Sequence, residues 1–471
     1  MIVPATAPAR AVLMLLVAAA AIASVFTGAV WITGLGGIAL VIFLVLGWRR
    51  FTVGTWVPVG LSGVTLIAAL VQGVPGDVLL TGVERAVFLG ALMGLLGLLR
   101  AAATVAPEVE AAGQFLTTQP ASRRYLSLSL GGHLFGVMIN FGGLVLLLDM
   151  VRRSMDSPAS RHLSPELREV RLRRMTVAVM RGFVLISLWS PLGFATNVIL
   201  LTLPSLSYAD FAPIGFASSF VFIAVGLGFD RFRYRHLAGT IPTPPPASAA
   251  EWRGVVLLLG HVSLLGGAIF VLYRGSPLTF QDALILLVPT YAVVWAAVSG
   301  RGQGSGPWRS VRAAASDAWV RMPLAAGEVG MFAAAGFLSV VLLAVVPTED
   351  LRAGVAATGV GPLGLMLGLG GSIVLLALTG VNPIVSSSVL GAVAVQLALP
   401  GVSDLGLALA ITGGWTVAIG LSPFLTTSIL CSAVLEQPSW RIGLVWNGPY
   451  SLTMLTLWGM FLTFLVLSGA V

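Results

Sequence analysis

The chain has 471 residues, 57% hydrophobic and 9% charged, with a mean hydropathy of +0.98. A soluble domain carries about 25% charged residues, so the composition excludes one and points to an all-α polytopic membrane protein. The net charge of +8 comes entirely from arginine, with no lysine anywhere. The arginines cluster in short loops between apolar runs, as in cytoplasmic loops beside anionic lipid, so membrane lipid is an expected partner and nucleic acid is not. The single cysteine, Cys431, rules out an internal disulfide or a cysteine-rich metal centre. No cofactor is expected apart from a coupling ion.

In chain order, Arg10 places the N-terminus in the cytoplasm, and spans at about 11–30, 34–48, 53–73 and 78–99 follow, with Arg49-Arg50 and Arg100 at the inner ends. The apolar stretch 125–149 has Arg123-Arg124 before it and Arg152-Arg153 after it. Both ends therefore belong on one side, and the stretch reads as a re-entrant hairpin entering from the cytoplasm and turning near Asn140 and Gly142. Irregular backbone at membrane depth survives only inside protein or beside a watery cavity. "SPELREVRLRRM" (164–175) opens with a Ser-Pro helix start and reads as a short interfacial helix leading into the next span. Further crossings are expected at 176–203, 211–229, 254–273, 279–299 and 323–346. "IPTPPPASAAE" between the second and third of these reads as a cytoplasmic linker.

Residues 361–400 form two apolar arms around "GVNP", a second hairpin that enters from the opposite face. Crossings at 405–435 and about 448–470 finish the chain with its C-terminus outside, for about eleven crossings and two hairpins. The layout repeats: Pro120 to Pro362 and Asn140 to Asn382 are both intervals of 242 residues. "SLWSPLGFATNVIL" (187–200) likewise matches "AIGLSPFLTTSIL" (418–430). The expected organisation is an N-terminal helix 1–33, repeat 1 over 34–235, a linker 236–251 and repeat 2 over 252–471, the repeats threading the membrane in opposite senses.

A mid-span proline leaves backbone groups unpaired, which is costly in hydrocarbon unless something polar meets them. The expected substrate site therefore gathers Asn140, Gly142, Ser190, Pro191, Thr196, Asn197, Asn382, Pro383, Ser386, Ser387, Ser422, Pro423, Thr426 and Thr427. A coupling ion, Na⁺ or H⁺, would use Asn140, Asn382, Ser388 and Ser428. The blander reading is that Ser and Thr bond their own backbone and that Ser-Pro kinks serve packing. Gly131-Gly132 and Gly370-Gly371 read as close-packing glycines. Arg181 reads as an interfacial anchor in preference to a substrate contact. His133 and His261 read as core residues, and Glu328 and Glu84-Arg85 as groups near span ends.

Two opposed hairpins tipped with asparagine, two broken helices and eleven crossings resemble the ion transporter superfamily, most similarly its divalent anion/sodium symporter branch. The branch's Ser-Asn-Thr hairpin signature is replaced here by Ile139-Asn140-Phe141 and Val381-Asn382-Pro383. The resemblance implies an elevator-type homodimer in a bacterial inner membrane that moves a small carboxylate-like solute and is not an enzyme. A cation/proton antiporter, or a flippase or membrane enzyme acting on a phosphorylated lipid carrier, are the alternative readings.

Overall fold

The computed structural model describes residues 6–156, 161–237, 249–302, 304 and 306–471, and among these it contains helices and no strand. Helices α1 (Ala7–Thr27), α2 (Val30–Gly47), α3 (Val53–Val71) and α4 (Gly76–Thr104) come first. After them come α5 (Pro107–Thr117), α6 (Ala121–Ile139), α7 (Phe141–Ser154), α8 (Pro165–Val184), α9 (Phe194–Thr202) and α10 (Tyr208–Tyr234). The second half contains α11 (Ala249–Gly275), α12 (Phe280–Gly302), α13 (Pro307–Arg321), α14 (Ala326–Val345) and α15 (Thr348–Ala357). It ends with α16 (Pro362–Leu378), α17 (Pro383–Leu397), α18 (Asp404–Leu421), α19 (Thr426–Leu435) and α20 (Gly448–Leu467).

Ten helical segments among the described residues are long and apolar enough to cross a bilayer. The stretch expected as an eleventh crossing, 176–203, is not among them. It is divided between α8, which carries five arginines, and the nine-residue α9. "SPELREVRLRRM" is continuous with α8, and Ser164 caps it by accepting from the Leu167 N–H at 3.4 Å. α13 and α14 are joined through a 3-10 turn at Met322–Ala325, so this helix starts well before the expected 323. Residues 238–248, most of the expected linker, lie outside the described residues.

Both hairpins form where the sequence breaks. α6 stops because Asn140 takes φ 54° and ψ −137°, and its Oδ1 accepts the Phe141 N–H at 2.8 Å to start α7. α16 stops at Leu378, Gly380 turns the chain at φ 98°, and the Asn382 Oδ1 accepts the Ile384 N–H at 2.9 Å. Pro383 follows at the first helical position, where its missing N–H costs nothing.

In each half, the first hairpin arm packs closely on the first half of the broken helix. A Cβ on Gly132 would overlap the Val179 carbonyl, and one on Gly182 the Ser129 carbonyl. In the second half Gly370 and Gly414 meet similarly, a Gly414 Cβ falling 2.5 Å from the Gly370 oxygen. Gly132 and Gly370 are thus close-packing glycines as expected. Gly131 faces the Leu116 side chain, while Gly371 has open space beside it.

Candidate functional site

Beyond the breaks, the two halves exchange partners. The second arm of the second hairpin, α17, packs on α9, and α19 packs on α7 and α8. The 3-10 turn Leu185–Leu188, which ends the first part of the broken helix in the first half, rests on α18. Ser386, Ser387 and Ser388 of α17 therefore come from one half, and Thr196 and Asn197 of the helix beside them from the other.

Most of these side chains are deeply buried. Thr196, Asn197, Ser387, Ser422, Thr427 and Ser428 are each 0% exposed, and Ser190 and Ser388 are 1%. Among the described residues, the hydroxyls of Ser190, Thr196, Ser387, Thr427 and Ser428 and the Asn197 Oδ1 have no hydrogen-bond partner. A buried polar atom without a partner is costly, and such atoms are scarce in native structures. Their concentration on the segments flanking the two breaks is the strongest feature of the site.

Other expected site residues are already committed. Asn197 Nδ2 donates to the Pro191 carbonyl at 3.3 Å and the Gly193 carbonyl at 2.9 Å, just after the Ser-Pro break. Ser422 Oγ donates to the Ala377 carbonyl at 2.6 Å and accepts the Phe424 N–H at 3.2 Å, tying the second broken helix to its hairpin. Ser386 Oγ reaches the Pro383 carbonyl at 3.4 Å. Pro191, Pro383, Pro423 and Gly142 are buried, Asn382 is half-buried and Thr426 is exposed.

Two cavities approach α9 from opposite ends. The first, about 210 Å³, is lined by Asn140, Phe141 and Gly142 of the hairpin tip, Arg100, Arg321, Glu328 and Phe194, the first residue of α9. The second, about 460 Å³, is lined by Leu200 and Leu201 near the far end of α9 and by Thr81, Glu84, Arg85 and Asp282. Phe194 and Leu200 are six residues apart, about 9 Å along a helix, with Thr196 and Asn197 between them. The Phe194 ring packs on Phe332 with centroids 4.0 Å apart at the first cavity. Glu328 and Glu84-Arg85, set aside from sequence as span-end groups, thus line these cavities.

Arg181 is not the interfacial anchor expected from sequence. It is 6% exposed, its Nε donates to the Asn447 Oδ1 at 2.8 Å and its guanidinium lies 4.4 Å from the Tyr450 ring. Asn447 in turn donates to the Gly420 carbonyl at 2.8 Å, so Arg181 helps hold the end of α18 just before its break. A buried arginine here is accommodated by an amide and an aromatic face instead of water.

His133 accepts from Trp189 Nε1 at 3.0 Å through Nε2, so its proton is on Nδ1, 3.1 Å from the Gly182 carbonyl. Both ring nitrogens serve packing, as expected. His261 does more than pack. Its Nδ1 lies 2.6 Å from the Tyr291 hydroxyl and its Nε2 3.2 Å from Glu108. Glu108 also accepts from Trp295 Nε1 at 2.6 Å and from Ser299 at 3.3 Å. Sequence reading missed this network because Glu108 comes from α5, far in the chain from His261 of α11 and Tyr291, Trp295 and Ser299 of α12. The legible signal was Pro107 followed by Glu108 and Glu110, the start of a helix.

No family model matches the chain, and no curated protein matches it in sequence. Among solved structures, the crystal structure of the Alcanivorax borkumensis YdaH transporter, reported to have an unusual topology, superposes with a TM-score of 0.57 at 20% identity. The match covers 86% of this chain and 88% of that one. The chain therefore has the fold of a membrane transporter, shared along nearly its whole length.

Proposed function

We propose that the chain is a secondary active transporter for a small anionic organic solute of the carboxylate kind, coupled to Na⁺ or H⁺. In this reading the halves are inverted repeats, the hairpins and broken helices form a unit that moves in elevator fashion, and the protein works as a homodimer in a bacterial inner membrane. One observation carries the reading: two cavities separated by about 9 Å of α9, with unpartnered hydroxyls and an amide oxygen buried on that segment and beside it. Arg100 beside the Asn140 tip favours an anion as cargo, whereas Arg321 on the same wall is paired with Asp317. The Glu108–His261 network offers a place for a proton.

The test is uptake of labelled monocarboxylates, dicarboxylates and sulfate into proteoliposomes under an imposed Na⁺ or pH gradient. Gradient-driven uptake of a carboxylate is expected, and Asn140→Ala and Asn382→Ala should abolish it in protein that still elutes as the wild type does. Uptake that persists in both variants removes the two asparagines from the site. Absence of any gradient-driven uptake overturns the reading.

A second reading, movement of a phosphorylated lipid carrier, is favoured by one feature. A cleft of about 1210 Å³ between α6, α10 and α11 is lined almost wholly by apolar side chains, with Gln119 and Arg123 among its few polar ones. Flipping of a fluorescent lipid phosphate in the same vesicles would select it.

A further inference from the structure

A buried acid and a histidine tie α5, the helix that leads into the first hairpin, to α11 and α12. Glu108 of α5 has its Oε1 3.2 Å from His261 Nε2, and the same oxygen accepts from Trp295 and Ser299 of α12. Side-chain exposure is 9% at Glu108 and 19% at His261. The helices touch directly: a Cβ on Gly254 of α11 would lie 2.6 Å from the Ala112 amide nitrogen and 2.8 Å from the Glu108 carbonyl oxygen. Only residues 118–120 separate α5 from α6.

The bonds around His261 are complete with one proton on the ring or with two. With a proton on Nε2 alone, toward Glu108, the bare Nδ1 accepts from the Tyr291 hydroxyl 2.6 Å away. When Nδ1 takes a second proton from water, it donates to the Tyr291 oxygen, and the hydroxyl turns to the His261 carbonyl at 3.3 Å. No heavy atom has to move. The second proton turns a neutral ring beside a carboxylate into an imidazolium–carboxylate pair, whose attraction is strong away from water. Among side chains, histidine is the one suited to such a change between about pH 5 and 8.

Other charged groups are engaged elsewhere or stand apart. On α5, Glu110 accepts from Gln114 at 3.4 Å. On the helices packed against α5, α11 and α12, His133 of α6 is held by Trp189, Asp149 of α7 pairs with Arg153, Asp317 of α13 pairs with Arg321, and Arg100 of α4 lines the hairpin-tip cavity. Arg253, on α11 itself, is about 12 Å along the helix from His261. Among the described residues, Glu108 and His261 form an ion pair only with each other.

We propose that His261, Glu108 and Tyr291 form a proton-binding site that regulates the transporter. Protonated, the site fastens α5, and with it the base of the first hairpin, to α11 and α12. Without the second proton that hold weakens to hydrogen bonds. The three residues lie on neither hairpin and on neither broken helix, so the proton acts on the hairpin's attachment. The proton site stands by itself, whereas its regulatory effect rests on the transport reading.

The test is hydrogen–deuterium exchange of full-length purified protein from about pH 5.5 to about 8.5, corrected for the intrinsic rate at each pH. Amides of 107–117 should exchange severalfold faster at the upper end, while those of α3, which has no titratable residue, stay unchanged. Glu108→Gln and His261→Gln should each remove this pH dependence. Tyr291→Phe, a milder change that keeps the test open if those variants do not fold, takes away the acceptor of the second proton and should move the midpoint to lower pH. In proteoliposomes at a fixed gradient, uptake should rise with pH along the same curve and lose that dependence in Glu108→Gln and His261→Gln. Exchange in α5 that ignores pH, or variants that keep the wild-type response, would overturn the proposal. An α5 response with uptake that does not follow it overturns the regulatory role. An α5 response with no uptake at any pH overturns the transport reading and leaves the proton site in place.

Discussion

The hairpins α6–α7 and α16–α17 are helix pairs of similar length folded back at an asparagine, but they turn differently. The first turns on one residue, Asn140 at φ 54°, and the second on four, Thr379 to Asn382, with Gly380 at φ 98°. A glycine takes positive φ freely, whereas a residue with a Cβ does so at a cost of about 1–3 kcal/mol. Strain thus sits at one tip only, and it is the tip facing a cavity with two arginines and a glutamate. Asn140 thus lines that cavity from a strained turn, while Asn382 caps the second arm at an unstrained φ of −71°.

The largest effect that bears on this comparison concerns the helix crossings beneath the hairpins. Gly182→Ala would drive a methyl into the Ser129 backbone, which no side-chain rotation relieves. A loss of about 3 kcal/mol or more is expected, measured as reduced stability in a denaturant series on purified protein. Gly371→Ala, which meets open space, should leave stability unchanged. If the two variants behaved alike, the close approach would not hold the first hairpin to α8.

A smaller difference is expected at the tips. Asn140→Ala loses a helix cap and also forces alanine into positive φ, whereas Asn382→Ala, at φ −71°, loses only the cap. Capping is worth about 1 kcal/mol, so Asn140→Ala should be the more destabilising by roughly another 1 kcal/mol. Asn140→Gly should recover most of that difference and yet fail in uptake. Full uptake by Asn140→Gly would mean that the side chain at 140 is structural.

Much of this was legible in the sequence, because breakers act locally. Asn382-Pro383, Ser190-Pro191 and Ser422-Pro423 mark the breaks correctly, since a proline's effect on its own helix does not depend on distant partners. The arginine pairs around 125–149 likewise bracket a helix-turn-helix. What could not be read was pairing across the chain: Arg181 with Asn447 and Glu108 with His261. Nothing in local spacing records which helix lies beside which, and an arginine near a span end, as Arg181 is, usually serves as an interfacial anchor. The short helix α15 was missed for another reason, since ten residues between apolar runs look like a loop. The cross-packing of α17 on α9 is implied only by the expected repeat, not by any residue.

The smallest predicted effect on stability is also the sharpest comparison of the two halves. Ser190 and Ser422 hold the same place in the two Ser-Pro breaks, but Ser422 donates to the Ala377 carbonyl at 2.6 Å while the buried Ser190 hydroxyl has no partner. Ser422→Ala should cost about 1 kcal/mol, since the Phe424 N–H loses its acceptor and the Ala377 carbonyl keeps only the Gly380 N–H. Ser190→Ala removes a hydroxyl that forms no bond, so stability should hold or rise slightly. If that hydroxyl is kept for a passing solute or ion, uptake should fall severalfold in Ser190→Ala despite its intact stability, and the apparent affinity for substrate or coupling ion should weaken. If Ser190→Ala transports normally, the unpartnered hydroxyl is a tolerated packing defect, and the site rests on Thr196 of the first half and Ser387, Thr427 and Ser428 of the second.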